Sequence, residues 1–284
     1  MLECARSTTH SIRTLSPRMN TQVKVVFLLT FVIHLISTLA FAFRIAGVRT
    51  RRIAVSFTVF NILVLVSRTA NTFQGPLLAK HVEQNIIAGA SAHIESDFRW
   101  LLLSSTLATL VGLLLIPTTQ RLFTRAIDSM ETNRSLPRLF LRLLAPSNWR
   151  HVRESLKLPA SKNITQLSWT MAAQRILIFQ VLATALLTVG VFASLYAGYL
   201  KPDLRVTANN LSPVVNAVST ILLFLFIDPY LSFLTDDVVQ GKATEGLFRR
   251  SVVLLAASRL VGTLLAQLIF VPSARVIVKA AELI

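Results

Sequence analysis

Hydrophobic residues in this chain come in long continuous runs broken by short polar stretches. The runs lie at about 23–43, 53–78, 98–116, 176–200, 211–234 and 251–270. Each holds about 20 residues, the length an α-helix needs to cross a hydrocarbon core of about 30 Å. None alternates with period two, which argues against a β-barrel. The pattern predicts an all-α, polytopic integral membrane protein with six transmembrane helices. Residues 1–20, polar and aperiodic, are read as a disordered tail, and 21–284 as a single transmembrane domain. Met19 offers an alternative start within that tail.

Prolines punctuate the runs. Gly75-Pro76 is expected to end the second, Pro117 to close the third and Pro272 to stop the sixth. Pro213 sits in the first turn of the fifth, which Asp228-Pro229 interrupts further on. Residues 79–97 read as a connection that could carry a short surface helix. The first run also admits a signal-peptide reading, because Ala40-Phe41-Ala42 resembles a cleavage site. Its length exceeds the ~7–15 residues of a signal core. It also carries Thr30, His34, Ser37 and Thr38 on one helical face, which a disposable segment does not need.

Composition agrees with the runs. Hydrophobic residues make up 53% of the chain and charged residues 15%, with a mean hydropathy of +0.62. Soluble domains carry about 25% charged residues. The net charge of +16 would suit nucleic acid, but the basic residues lie mainly between the runs. Membrane topology and anionic lipid headgroups account for them there, and no nucleic-acid partner is expected. Of the 29 lysines and arginines, 17 fall in the segments joining spans 1–2, 3–4 and 5–6, and 10 on the opposite side. The positive-inside rule places those three connections in the cytoplasm and both termini outside. The longest connection, 121–175, interleaves Arg138 and Arg142 with Leu139, Phe140, Leu141 and Leu143. Residues 136–144 read as a basic amphipathic helix lying on anionic lipid, with a plain solvated linker as the alternative.

Charges inside the runs carry most of the functional information. Arg68 and Arg259 lie within spans, Arg44 at the inner end of span 1, and Asp228 is the one acid within a span. Asn61, Arg68, Asn71 and Gln74 follow one another down one side of span 2 at seven- and three-residue steps. Hydrocarbon tolerates such residues only where they face protein, water or a ligand. One acid cannot neutralise two arginines, and guanidinium suits bidentate phosphate binding. An anionic ligand in an arginine- and amide-lined cavity resolves the excess. An ion pair of Arg68 or Arg259 with Asp228, or snorkelling to the interface, are the competing readings. His34, near the middle of span 1, is either a proton-relay residue or a hydrogen-bonded packing residue. With Asp228 it is the candidate for proton or ion coupling. Gly262, Thr263 and Gln267 follow Arg259 as either packing contacts or cavity lining. Leu63–Arg68 also resembles Leu254–Arg259, a faint sign of a parallel repeat.

Catalytic motifs are absent. There is no phosphate-binding glycine loop, metalloprotease helix or nucleophile elbow, and the single cysteine, Cys4, permits no intramolecular disulfide. The Asp236-Asp237 pair is the one candidate for a metal, but adjacent acids on a helix point about 100° apart. The chain is read as no enzyme, with no metal site and no cofactor.

The stretches His34–Ala40, Arg44–Thr50, Ser56–Asn61, Leu65–Asn71 and Gln74–Leu77 together resemble the bacterial Amj family, whose members are lipid II flippases serving as the alternate to MurJ. The likeness is strong over residues 34–78 and looser across the six spans. It implies a multi-pass protein of the bacterial plasma (inner) membrane that moves undecaprenyl-diphosphate-linked peptidoglycan precursor, lipid II, from the inner to the outer leaflet. Roles in cell-wall biogenesis and cell shape would follow. On the physical reading, Arg68, Arg259, Asn61, Asn71, Gln74 and Arg44 would hold the substrate. Two other classes stay open: a membrane enzyme acting on polyprenyl phosphates through Asp236-Asp237, and an accessory membrane subunit.

Overall fold

The computed structural model describes residues 21–87, 93–128 and 171–284. The N-terminal tail, the 136–144 segment and Cys4 lie outside the described residues. The elements are α1 (Thr21–Thr50), α2 (Ile53–Ile87), α3 (Ile94–Asp128), α4 (Met171–Leu200), α5 (Arg205–Asn210), α6 (Ser212–Leu222), a π-helical turn (Leu223–Ile227), α7 (Asp228–Val239) and α8 (Glu245–Leu283). The 3₁₀ turn Pro202–Leu204, α5, α6, the π turn and α7 make up the fifth span, so six helical segments are long and apolar enough to cross a membrane. The fold is all-α, as the hydrophobic runs predict.

Three proline stops are corrected. Pro76, Pro117 and Pro272 lie inside α2, α3 and α8, which continue to Ile87, Asp128 and Leu283. Proline removes one N–H and crowds the carbonyl four residues back, but packed membrane helices absorb that locally. The 79–97 connection is correspondingly short. Glu83 belongs to α2, and Glu95 and Asp97 form the acidic first turn of α3. The Ala40-Phe41-Ala42 stretch lies buried in the middle of the continuous α1 rather than in an extended, cleavable segment.

Small and hydroxyl residues join the helices, as expected where lipid removes the hydrophobic drive for association. On the α1–α2 seam, Ser56 donates to the Phe43 carbonyl, Ser67 to the Ile33 carbonyl (3.1 Å) and Gln74 to Thr30 Oγ1 (2.6 Å). Ser104 of α3 donates to the Phe27 carbonyl of α1 (2.8 Å), and Ser219 of α6 to the Ala183 carbonyl of α4 (2.6 Å). At Gly262 of α8 a Cβ would meet the Val181 carbonyl of α4 at 2.7 Å, so only glycine permits that approach.

The apolar core divides in two. One cluster gathers Val23, Phe98, Phe192, Tyr196 and Phe270, and the other Phe41, Ile227, Leu231, Phe248 and Leu255. Between them, on α1, α3, α4 and α8, lies a layer of buried polar residues: Thr38, Ser105, Thr109, Thr184 and Thr263. Polar chemistry therefore sits at mid-depth.

Candidate functional site

A cavity of about 150 Å³ opens at this level. Five helical segments line it. α1 contributes His34, Ser37, Phe41 and Arg44; α2 contributes Phe60, Asn61, Ser67, Arg68 and Asn71; α4 contributes Gln180. The π turn and α7 supply Phe224, Ile227, Asp228 and Leu231, and α8 supplies Arg259. From Ile33 to Arg44 it runs about 16 Å along α1, at 1.5 Å per residue, roughly half a hydrocarbon core.

The π turn places Phe224 and Asp228 on this wall. Pro229 has no N–H to offer the Leu225 carbonyl, so the regular ladder cannot pass. Asp228 N–H instead reaches back five residues to the Leu223 carbonyl. The extra residue in the turn offsets the following helix by about 100°. Ser219, Ile227 and Leu231 thereby share one buried face despite spacings of eight and four.

Each arginine has a different environment. Arg44, only 6% exposed, gives Asp228 a 2.6 Å hydrogen-bonded ion pair, with Phe60 and Phe57 stacked at 4.2 and 5.1 Å. The acid predicted as a partner for Arg68 or Arg259 is thus held by Arg44. Arg259, 7% exposed, lies 5.8 Å from the Phe41 ring centre, and no protein group hydrogen-bonds its Nε. Arg68 is exposed at the cavity mouth, 5.5 Å over Phe224. Among the described residues, neither Arg259 nor Arg68 makes a salt bridge. Isolated charge in a membrane interior costs at least several kcal/mol unless water or a counter-ion meets it. With Asp228 held by Arg44, the cavity carries two further positive charges that no acid on its wall balances, and it offers room for an anion beside them.

Seven of the eight sequence-predicted residues come together here: Arg44, Arg68, Arg259, Asn61, Asn71, His34 and Asp228. Gln74 does not. It is buried in the α1–α2 seam on Thr30, because the polar stripe of α2 turns away from the cavity one turn beyond Asn71. Gly262, Thr263 and Gln267 are packing residues; Gln267 donates to the Arg99 carbonyl of α3 at 3.0 Å. Asp236 and Asp237 close α7 away from the cavity, and among the described residues no group of three or more metal-binding side chains comes together. Gln180 escaped the sequence reading. Its amide donates to Thr184 Oγ1 (3.1 Å), while its Oε1, like His34 Nδ1, is buried with no protein partner. A lone amide inside the apolar run 176–200 was its only signal.

A curated protein of Bacillus subtilis (strain 168), named lipid II flippase Amj, is 35% identical over 255 residues, covering 89% of this chain and 94% of its own length. No solved structure gives a significant match. The family model described as "Alternate to MurJ" covers residues 29–281, nearly the whole six-span body, and the chain accordingly belongs to the Amj family.

Proposed function

We propose that this protein is a lipid II flippase of the bacterial plasma membrane. It would carry the undecaprenyl-diphosphate-linked disaccharide peptide from the inner to the outer leaflet. The observation that carries the reading is the pair Arg68 and Arg259, two cations on span-length apolar helices lining one cavity without an acid partner of their own. A diphosphate supplies the missing charge, and the planar guanidinium fork suits its oxygens. The family and the name of the Bacillus relative support the same substrate.

In this reading Arg259 and Arg68 are successive stations for the diphosphate, with Asn61 and Asn71 as neutral hydrogen-bond partners along the route. The Arg44–Asp228 pair closes the end of the cavity nearest the α1–α2 turn, and His34 is the candidate coupling residue. Gln74 has no part at the substrate. At about 150 Å³ the cavity suits phosphate groups, and the sugar and peptide require a wider conformation. No covalent chemistry is needed, and the reading is that of a transporter rather than an enzyme.

The test is complementation of a strain depleted of its other lipid II flippase, reading lipid II accessibility at the outer face. Arg68→Ala is expected to abolish flipping at normal protein abundance, because an exposed arginine contributes little to the fold. Arg68→Lys keeps the charge, loses the fork and should retain partial activity. Full activity of Arg68→Ala at normal abundance would rule out the station model.

A further inference from the structure

The cavity is closed on most sides by buried residues. His34, Ser37 and Asn71 are half-buried, and Phe41, Arg44, Gln180, Ile227, Leu231 and Arg259 are buried or nearly so. Only Asn61, Arg68 and Phe224 among its lining residues are exposed. Two of these belong to α2 and the third to the π turn. The mouth therefore lies on one side, between α2 and the fifth span. These two segments are also the least buried of the six. Across the mouth, the Arg68 guanidinium stacks on the Phe224 ring. Beside it, Leu65 lies on the helix surface between Asn61 and Arg68, and Leu225 follows Phe224; both are exposed apolar side chains.

That geometry has a small cationic chamber behind an apolar slot. It fits a ligand whose anionic group enters while its hydrocarbon remains outside. The chamber has room for phosphates but not for a chain of isoprene units. We infer that the seam between α2 and the π turn is a lateral portal occupied by the polyprenyl chain of the substrate, with Arg68 and Phe224 at its threshold. The inference rests on the flippase reading and adds where the lipid enters and leaves. Phe224 is a threshold residue in two respects. Its ring lies against the isoprenoid chain, and its face holds Arg68 when no phosphate does. The π turn beneath it is a segment where helix hydrogen bonding is already rearranged, so the slot can widen without breaking a regular ladder.

Site-specific photo-crosslinking tests this in the full chain, in cells that depend on this protein for lipid II export. A photoreactive phenylalanine analogue is placed at Phe224 or at Leu65, and as controls at Leu268 or Val276, exposed positions on α8 away from the mouth. After irradiation, mass spectrometry identifies the lipid attached. The expected result is a polyprenyl adduct at 224 and 65, several-fold above positions 268 and 276, which capture phospholipid. Equal polyprenyl capture at all four positions, or phospholipid alone at 224 and 65, would overturn the portal. A second arm tethers the seam, with Val64→Cys and Phe224→Cys joined by a short thiol crosslinker in a Cys4→Ser background. Arg99→Cys with Gln267→Cys, across the α3–α8 contact, is the control tether. Loss of export on tethering the first pair but not the second supports the portal; unchanged export with the seam tethered sinks it. If the unsubstituted protein exports no lipid II, the flippase reading itself fails. That outcome is distinct from an active protein that captures no polyprenyl chain at the seam.

Discussion

Arg44 and Asp228 join the first span to the fifth and are the strongest polar contact at the cavity wall. Their net worth as a pair is small, since desolvation offsets attraction, but removing one partner strands the other. Arg44→Ala should therefore destabilise the protein, by about 1–3 kcal/mol rather than the 3–5 of a fully buried pair, because the Asp228 side chain is 31% exposed. Asp228→Ala should do likewise, leaving Arg44 buried under Phe57 and Phe60. The double variant should recover part of the loss, with a coupling of about 0.5–3 kcal/mol read from thermal unfolding in detergent. Strict additivity would show that the pair does not act as a unit. Sequence made these charges visible because arginine and aspartate stand out in apolar runs. It could not assign the partner, since Arg44 and Asp228 are separated by 184 positions. For the same reason Gln74 looked like a cavity residue: its spacing puts it on the polar side of α2, and only packing decides that Thr30 receives it.

Among the elements, the fifth span departs furthest from its pattern. The hydropathic run 211–234 announced a span, and Asp228-Pro229 an interruption, but not that a π turn resolves it. A missing N–H can kink, break or bulge a helix. The bulge wins here because it keeps Ser219 against α4 while turning Ile227 and Leu231 into the core. Pro76, Pro117 and Pro272 were misread for the complementary reason. Their helices are held by neighbours along their length, so losing one hydrogen bond does not end them. The π turn gives a prediction. Pro229→Ala restores the N–H and lets a regular helix compete, worth up to about 3 kcal/mol in helix propensity. A regular helix would swing either Ser219 or Leu231 by about 100° from its buried face, displacing Phe224 and Asp228 from the cavity. Thermal stability in detergent should hold or rise while lipid II export falls. A variant that gains stability and keeps full export would show that the turn is a structural accommodation only.

At the scale of the whole molecule, the alternation of spans groups the ends into two faces. The α1–α2 turn, the end of α3, the start of α4 and the α7–α8 turn share one face. The other bears the α2–α3 connection, the end of α4 and the end of α8. On this second face acids meet three of the basic residues: Lys201 with Glu282 at 2.6 Å, Arg99 with Glu95 at 2.9 Å, and Arg205 with Glu83 at 3.6 Å. Glu282 accordingly holds the Lys201 ammonium above its ordinary pKa. The first face carries Arg49, Arg51, Arg52, Arg121, Arg125, Arg175, Lys242, Arg249 and Arg250, and it continues into the basic 129–170 segment. The positive-inside rule counts lysine and arginine, not net charge, and on that rule this first face is expected in the cytoplasm. On that orientation the Arg44–Asp228 pair would lie toward the cytoplasmic end of the cavity, with Arg68 farther out than Arg44. Single cysteines at Lys242 and Trp149, and separately at Lys201 and Glu282, in a Cys4→Ser background, should resolve this with an impermeant thiol reagent. Positions 201 and 282 should label in intact cells, and 242 and 149 only after permeabilisation. The reverse pattern would invert the protein, set the Arg44–Asp228 closure at the outer face, and require the order of the arginine stations to be reversed for outward transport.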